Sequence, residues 1–242
     1  MLSRLEALQR KLHLMKLNLA KSAGIQNCMQ VLDVGCGQGT FTVCVAELLG
    51  KNGKVTAVDI SDASLDKLNE NLDRYRVRSK VTFVKVDAAE LQSTFKQGSF
   101  DVAVSYRLVE ELKNPKSLPK IISSIVSVVK QGGRVAMFEL STKTKNVAEE
   151  NLIRLHRDIG TDYFPSDRTI LRCLREANLE KVDLEIVPTN ISYSGKVFLE
   201  SRISQDEIWP EFKERIMKEL WPSIKRYGLK YPDIRMFSGQ KQ

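Results

Sequence analysis

Three aspartates stand at the ends of short apolar runs: Asp33 in VLDV, Asp59 in VTAVDI and Asp87 in VTFVKVD. The first run leads into a loop with three glycines in five positions, Gly35, Gly37 and Gly39, within VLDVGCGQGT (31–40). Glycine has no Cβ, so such a loop lets another molecule come close to the backbone. Two phosphate-holding patterns do not fit. A P-loop needs Lys-Ser or Lys-Thr after its last glycine, and none follows Gly39. The dinucleotide fingerprint needs its third glycine at the sixth position, which here is Thr40.

The remaining fit is a nucleoside-type ligand bearing a charged amino-acid tail. Asp33 would suit a cationic group such as an α-ammonium, directly or through water. An acid where Asp59 stands, at the end of the next strand, can accept hydrogen bonds from both ribose hydroxyls. Asp87 would take an exocyclic adenine amine, and Ile60 offers an apolar face for the base. Each has an ordinary alternative: strand-end caps for the acids, core for Ile60, helix–strand packing for Gly39.

These residues need a scaffold, and the periodicity supplies one. Strand-sized runs VLDV (31–34), VTAVDI (55–60), VTFVKV (81–86), FDVAVS (100–105) and RVAMFEL (134–140) alternate with helical stripes. One stripe is Leu65, Leu68, Leu72 and Tyr75; another is Leu118, Ile121, Ile122, Ile125, Val128 and Val129. Such alternation predicts right-handed crossovers and a mostly parallel sheet. Open sheets of this kind bind ligands at the carboxyl ends of their strands, where the three acids fall. Gly132-Gly133 is expected to turn into the fifth strand.

The flanks are less regular. Residues 1–22 read as an amphipathic helix with Leu2, Leu5, Leu8, Leu12, Met15 and Leu19 on one face and Arg4, Arg10, Lys11, Lys16 and Lys21 elsewhere. Packing on its own domain is the commoner use of such a helix; contact with a membrane surface is the other. Beyond residue 140 the pattern predicts a helix around 147–157, a loop GTDYFPSD (160–167), a helix capped by Ser166 or Asp167, and a strand over 182–187. One or two strands are expected over 191–204, then an amphipathic stretch with Ile208, Trp209, Phe212, Ile216, Leu220, Trp221 and Ile224 that kinks at Pro222. A closing strand spans 234–241.

VLDVGCGQGTFT, VTAVDIS, VTFVKVDAAEL, SFDVAVSYRLVEEL and the QGGRV turn together closely resemble the class I S-adenosylmethionine-dependent methyltransferases. The resemblance spans roughly residues 29–140, about half the chain, and its pattern is nearest the small-molecule, ubiquinone/menaquinone-type enzymes. It implies an α/β, Rossmann-like doubly wound sheet of about seven strands in the order 3-2-1-4-5-7-6, the last antiparallel. Helices would cover both faces. The expected organisation is a single methyltransferase domain: an N-terminal helix (1–25), a cofactor-binding core (26–140) and a C-terminal part (141–242) that builds the acceptor pocket.

The resemblance also implies S-adenosyl-L-methionine as cofactor. Gly35, Gly37 and the nearby backbone, extending to Gly39 and Thr40, would hold its methionine part, with Asp33 beside them. Asp59 and Ile60 would hold the ribose and adenine, Asp87 and Ala88 would flank the adenine, and Tyr106 and Arg107 would lie near the sulfonium and acceptor. Methyl transfer is an in-line displacement that gains mainly from positioning. A base is needed only for a protonated nucleophile. Where related enzymes carry histidine after the fourth strand, this chain has Leu108-Val109-Glu110-Glu111-Leu112. Candidate catalytic groups are therefore Tyr106, Glu110 and Glu139, with His156 and Tyr163 behind them. A solvated helix-end glutamate is the plainer reading of Glu110, and an exposed surface histidine that of His156. Asp162-Tyr163-Phe164-Pro165 reads as a lid or as ordinary loop packing.

SYRL replaces the Asn/Asp-Pro-Pro-Tyr/Phe of amino methyltransferases, which disfavours adenine-N6 and glutamine-N5 as targets. A small-molecule acceptor is expected, with protein lysine or RNA as the alternative and, behind it, a nucleotide-binding protein without transferase activity or an NAD-dependent enzyme. The bulk numbers agree. The chain has 242 residues, 42% hydrophobic, with a net charge of +8 spread along it rather than gathered in a nucleic-acid-binding run. Four cysteines without CxxC spacing and two histidines argue against zinc, and a reducing, cytoplasmic setting fits. Cys28 and Cys44 are expected as core thiols. No run is long enough to span a bilayer. The N-terminal and 205–227 segments are candidates for a homodimer interface.

Overall fold

The computed structural model describes residues 3–160, 162–203 and 210–242. They fall into two compact units. The sheet unit comprises Met15–Glu139, Pro165–Glu185 and Arg235–Gln242; the other comprises Met1–Leu14, Leu140–Phe164 and Ile186–Ile234.

Strands in chain order are β1 (Gln30–Val34), β2 (Lys54–Asp59), β3 (Val81–Lys85), β4 (Phe100–Tyr106), β5 (Val129–Leu140), β6 (Leu179–Val187), β7 (Ser192–Tyr193), β8 (Leu229–Lys230) and β9 (Ile234–Lys241). Seven of them form one mixed sheet in the order β3-β2-β1-β4-β5-β9-β6. With β9 counted as its seventh strand, this is the expected order. β1 pairs in parallel with both β2 and β4, so strand order reverses between β1 and β4. Gln240 Nε2 donates to Gly132 O and Arg134 Nη2 to Ser238 Oγ, which sets the end of β9 beside the start of β5 and makes that pair antiparallel.

The buried runs explain the sheet. Val31, Leu32 and Val34 of β1 and Val102, Ala103 and Val104 of β4 are almost wholly removed from water, as central parallel strands covered on both faces require. Helix α1 spans Arg4–Ser22, α2 Thr42–Leu48, α3 Leu65–Arg74 and α4 Leu118–Val128. Ile121, Ile122, Ile125 and Val128 of α4 join Leu32, Val34, Ala103 and Met137 in one apolar cluster. Each such side chain contributes about 1.5–3 kcal/mol on burial. Leu8, Met15 and Leu19 on the apolar face of α1 are likewise buried. Among the described residues no helix is long and apolar enough to cross a membrane.

The other unit has its own cluster. Helix α5 (Val147–Arg154) runs into a π turn at Leu155–Ile159, while α6 (Asp167–Glu176) belongs to the sheet unit. Then come α7 (Gly195–Phe198), α8 (Pro210–Arg215) and α9 (Trp221–Tyr227), with β7 and β8 pairing antiparallel. Leu152, Ile159, Phe198, Ile216, Leu220, Ile224 and Leu229 form the cluster, with Phe212 and Trp221 packed against it. Ser166 caps α6 as expected, accepting from Thr169 N–H. Pro222 sits in the first turn of α9, after a break at Leu220.

Three expectations need correction. Strands over 191–204 reduce to β7. Ser194 then caps α7 by accepting from Val197 N–H, and Gly195 packs so tightly that a Cβ would lie 3.2 Å from the Trp221 ring. Ser204, Ile208 and Trp209, like Met1 and Leu2, lie outside the described residues. Gly132-Gly133 does not turn into the fifth strand but forms a bulge inside β5. The register with β4 jumps from Phe100↔Val129 to Val102↔Arg134, Gly132 has φ +73°, and a Cβ on Gly133 would meet Asp101 O at 2.7 Å. Cys28 is no core thiol: it is exposed in the turn before β1, at φ +67°.

Candidate active site

The glycine loop leaves β1 at its carboxyl end and bends toward β2. Gly35 N–H and Cys36 N–H both donate to Val58 O, at 2.9 and 3.0 Å. Gly35, Gly37 and Gly39 all have positive φ, where a side chain costs roughly 1–2 kcal/mol. Their surroundings differ. A Cβ on Gly39 would lie 2.1 Å from Leu68 Cδ1 of α3, and one on Gly35 would lie 2.7 Å from Leu108 Cδ1. A Cβ on Gly37 would meet nothing within 4 Å. Gly39 therefore packs loop on helix, whereas Gly37 opens onto unfilled space.

Asp59, ending β2, holds the loop from the side. Its Oδ2 accepts Gly37 N–H at 2.9 Å and its Oδ1 accepts Ser61 N–H at 3.1 Å. Ile60, the next residue, is 66% exposed, so its apolar side chain is not core. Asp87 is exposed at the end of β3, and its Oδ1 caps the following turn at Ala88–Ser93 by accepting Ala89 N–H at 2.8 Å. Ala88 is half-buried at the start of that turn.

Asp33 is buried. Thr42 Oγ1, at the start of α2, donates to its Oδ2 at 2.6 Å. Burial pushes its carboxyl up to about 7, against the Thr42 hydrogen bond and with a smaller push from the Asp59 charge. Asp33 thus fixes the loop-to-helix junction from below. Thr40, exposed on the loop, accepts a 2.8 Å hydrogen bond from Lys16 Nζ of α1.

After β4 the chain turns sharply. The Tyr106 ring stacks on Phe41 at 5.2 Å and 14° between planes, and Lys16 Nζ lies 5.5 Å from the Tyr106 ring centroid. Arg107 adopts φ +62°, a strained conformation for a non-glycine residue. Its N–H donates to Phe138 O at 2.7 Å and its Nε to Glu110 Oε2 at 2.8 Å. Glu110 is only 1% exposed, so the solvated helix-end reading fails: the Arg107 guanidinium draws it inside. Glu139 is fully buried nearby. Its Oε1 accepts Val109 N–H at 3.1 Å, while Oε2 has no hydrogen-bond partner. Burial first, then the Glu110 charge, raises its carboxyl well above the usual carboxylate range, against Val109 N–H, Arg235 and Arg107. Both glutamates therefore brace the turn that carries Tyr106 and Arg107.

The other base candidates lie in the second unit. His156 is not a free surface histidine: it sits in the π turn, only 17% exposed, with Nδ1 3.1 Å from Asp162 Oδ2. Tyr163 is exposed and Phe164 half-buried. In the sequence Lys16 is one of several basic residues of α1, and Phe41, Thr42 and Arg235 carry no local signal of a role. Arg235, on β9, pairs with Asp167 at 2.9 Å. Nothing in local spacing signals these contacts, because partners such as Lys16 and Thr40 are far apart in the chain.

The methyltransferase-domain family matches residues 25–179. This chain belongs to the class I S-adenosylmethionine-dependent methyltransferases. The methyltransferase is 33% identical over 119 residues to the ubiquinone/menaquinone biosynthesis C-methyltransferase UbiE of Idiomarina loihiensis, covering 49% of this chain and 45% of that protein. It is 30% identical over 129 residues to the "Probable cobalt-precorrin-6B C(15)-methyltransferase (decarboxylating)" of Thermoplasma volcanium, covering 53% and 60%. The matches thus span about half the length of these curated relatives. Among solved structures, a SAM-dependent methyltransferase of Archaeoglobus fulgidus superposes with a TM-score of 0.60 at 21% identity, covering 94% of this chain and 93% of that one. At that identity the likeness shows the fold alone. The family's cofactor is S-adenosyl-L-methionine, and the open space at Gly37, the carboxylate of Asp59 and the bare side chain of Ile60 fit its parts.

Proposed function

We propose that this methyltransferase transfers a methyl group from S-adenosyl-L-methionine to a small-molecule acceptor. The observation that carries the reading is the arrangement at the ends of β1 and β2: Gly37 facing open space, Asp59 bridging Gly37 and Ser61, and Ile60 exposed beside them. An ionised carboxylate has about four acceptor sites, so Asp59 keeps capacity for two ribose hydroxyls after serving two backbone donors. Ile60 and Ala88 would hold the adenine, with Asp87 near its amine. Gly35, Gly37 and the loop backbone to Thr40 would seat the methionine part, above the buried Asp33.

When bound, the cofactor would supply an electrophilic methyl group on a sulfonium, open to in-line displacement by the acceptor's electron pair with the sulfur as leaving group. The chain's own residues align this event. Tyr106, held flat by Phe41, presents a ring face to cationic sulfur. Arg107 sets the turn, and Glu110 and Glu139 hold it by accepting from Arg107 Nε and Val109 N–H. Positioning of this kind can supply much of the acceleration.

Both sequence relatives named above are C-methyltransferases of small molecules, which favours a carbon acceptor over protein lysine or RNA. Incubation with methyl-labelled cofactor and a fractionated extract tests the reading. Label should enter the small-molecule fraction; label confined to protein or RNA would overturn it.

A further inference from the structure

We propose that Lys16 binds the α-carboxylate of the cofactor's amino-acid tail. The inference rests on the reading that the glycine loop seats that tail. Three placements support it, all within the sheet unit. Lys16 Nζ donates to Thr40 Oγ1 at 2.8 Å, at the far end of the loop that begins with Gly35. The same ammonium lies 5.5 Å from the centroid of Tyr106, the residue that ends β4 on the other side of the strand-order reversal. Phe41, which follows Thr40, stacks on that ring. Lys16 therefore spans the mouth between the loop and the β4 turn.

The chemistry of the tail completes the case. It carries one ammonium and one carboxylate, and the acids at the strand ends, Asp33, Asp59 and Asp87, can meet only cations and hydrogen-bond donors. A cation favours a carboxylate entering the loop, and Lys16 stands at its rim on a flexible four-carbon stem. Thr40 Oγ1 and the Tyr106 ring are among the partners such a carboxylate would join or replace. A carboxylate forms a charge-assisted hydrogen bond roughly twice as strong as a neutral one. The exchange also draws the ammonium away from Tyr106, clearing the ring face for the sulfonium, which a second cation there would repel.

Calorimetry with two ligands tests the assignment. S-adenosylhomocysteine carries the amino-acid tail, and 5′-methylthioadenosine keeps the nucleoside and sulfur without it. Lys16→Met should weaken S-adenosylhomocysteine at least tenfold while leaving 5′-methylthioadenosine within twofold, which also shows that the variant is folded. Lys16→Arg should restore most of the loss. Equal weakening of both ligands, no change in either, or tighter binding of S-adenosylmethionine to Lys16→Met would overturn the assignment. The last outcome would mean that Lys16 stays over Tyr106 and opposes the sulfonium. If the wild-type protein bound neither ligand, the reading of the loop itself would fail instead.

Discussion

Asp59 Oδ2 accepts the backbone N–H of Gly37 at 2.9 Å, so the acid that ends β2 also shapes the loop that ends β1. One carboxylate thus serves two purposes, setting the loop and offering its remaining lone pairs to a ligand. Asp59→Asn should separate them. The amide oxygen can still accept from Gly37, but the NH2 group then faces Ser61 N–H, donor against donor. The loop should survive while affinity for S-adenosylhomocysteine falls about tenfold in calorimetry, as loss of one charge-assisted pair implies.

Gly37 and Gly39 should respond oppositely to alanine. Gly39→Ala sets a methyl 2.1 Å from Leu68 Cδ1 at φ +74°. It should cost about 2–3 kcal/mol, read as a lower urea midpoint. Gly37→Ala meets no protein atom and should cost only the roughly 1 kcal/mol of its backbone strain. Its methyl projects where the ligand must come, so cofactor binding should be lost in a protein that is still folded.

Asp33 predicts a pH dependence. Its folded carboxyl is raised to about 7 by burial, above an unfolded value near 3.8. The folded state therefore holds its proton more tightly, and the stabilisation is complete below pH 4 and is lost as pH rises through about 7. The slope is at most about 1.4 kcal/mol per pH unit for one proton. Glu139 is raised in the same direction. Asp33→Asn can still accept from Thr42 and cannot ionise. Urea midpoints at pH 5, 6, 7 and 8 should show the wild type losing stability relative to Asp33→Asn. Parallel curves would contradict the account.

Glu110→Ala removes the buried carboxylate that Arg107 Nε meets at 2.8 Å. A broken buried pair costs about 3–5 kcal/mol, so denaturation should shift strongly. Glu139→Gln keeps an acceptor for Val109 N–H and removes a buried acid, so stability at pH 8 should hold or rise.

The sheet and the loop were legible because their signals are local. Apolar runs of strand length, three acids at strand ends and a glycine cluster after the first strand each follow from a few neighbouring residues. The β9 strand over 234–241 and the Ser166 cap were legible for the same reason. Contacts between distant segments were not. Glu110 reads as a surface residue until Arg107 adopts its left-handed turn, and His156 until Asp162 folds back onto it. Lys16 is one of several basic residues on an amphipathic helix, and only the tertiary fold brings it to Thr40 and Tyr106. The segment after β7 has strand-forming residues, yet Ser194 and the Trp221 ring commit 195–203 to helical turns. Propensity yielded there to packing.

The central claim is that the loop and Asp59 form a site for S-adenosyl-L-methionine. Isothermal calorimetry of S-adenosylhomocysteine with the wild-type protein and with Asp59→Ala tests it most directly. The account predicts micromolar binding to the wild type and loss of at least tenfold in the variant, whose loop also loses its Gly37 acceptor. Equal binding by both proteins, or no binding of S-adenosylhomocysteine where NAD binds, would contradict it.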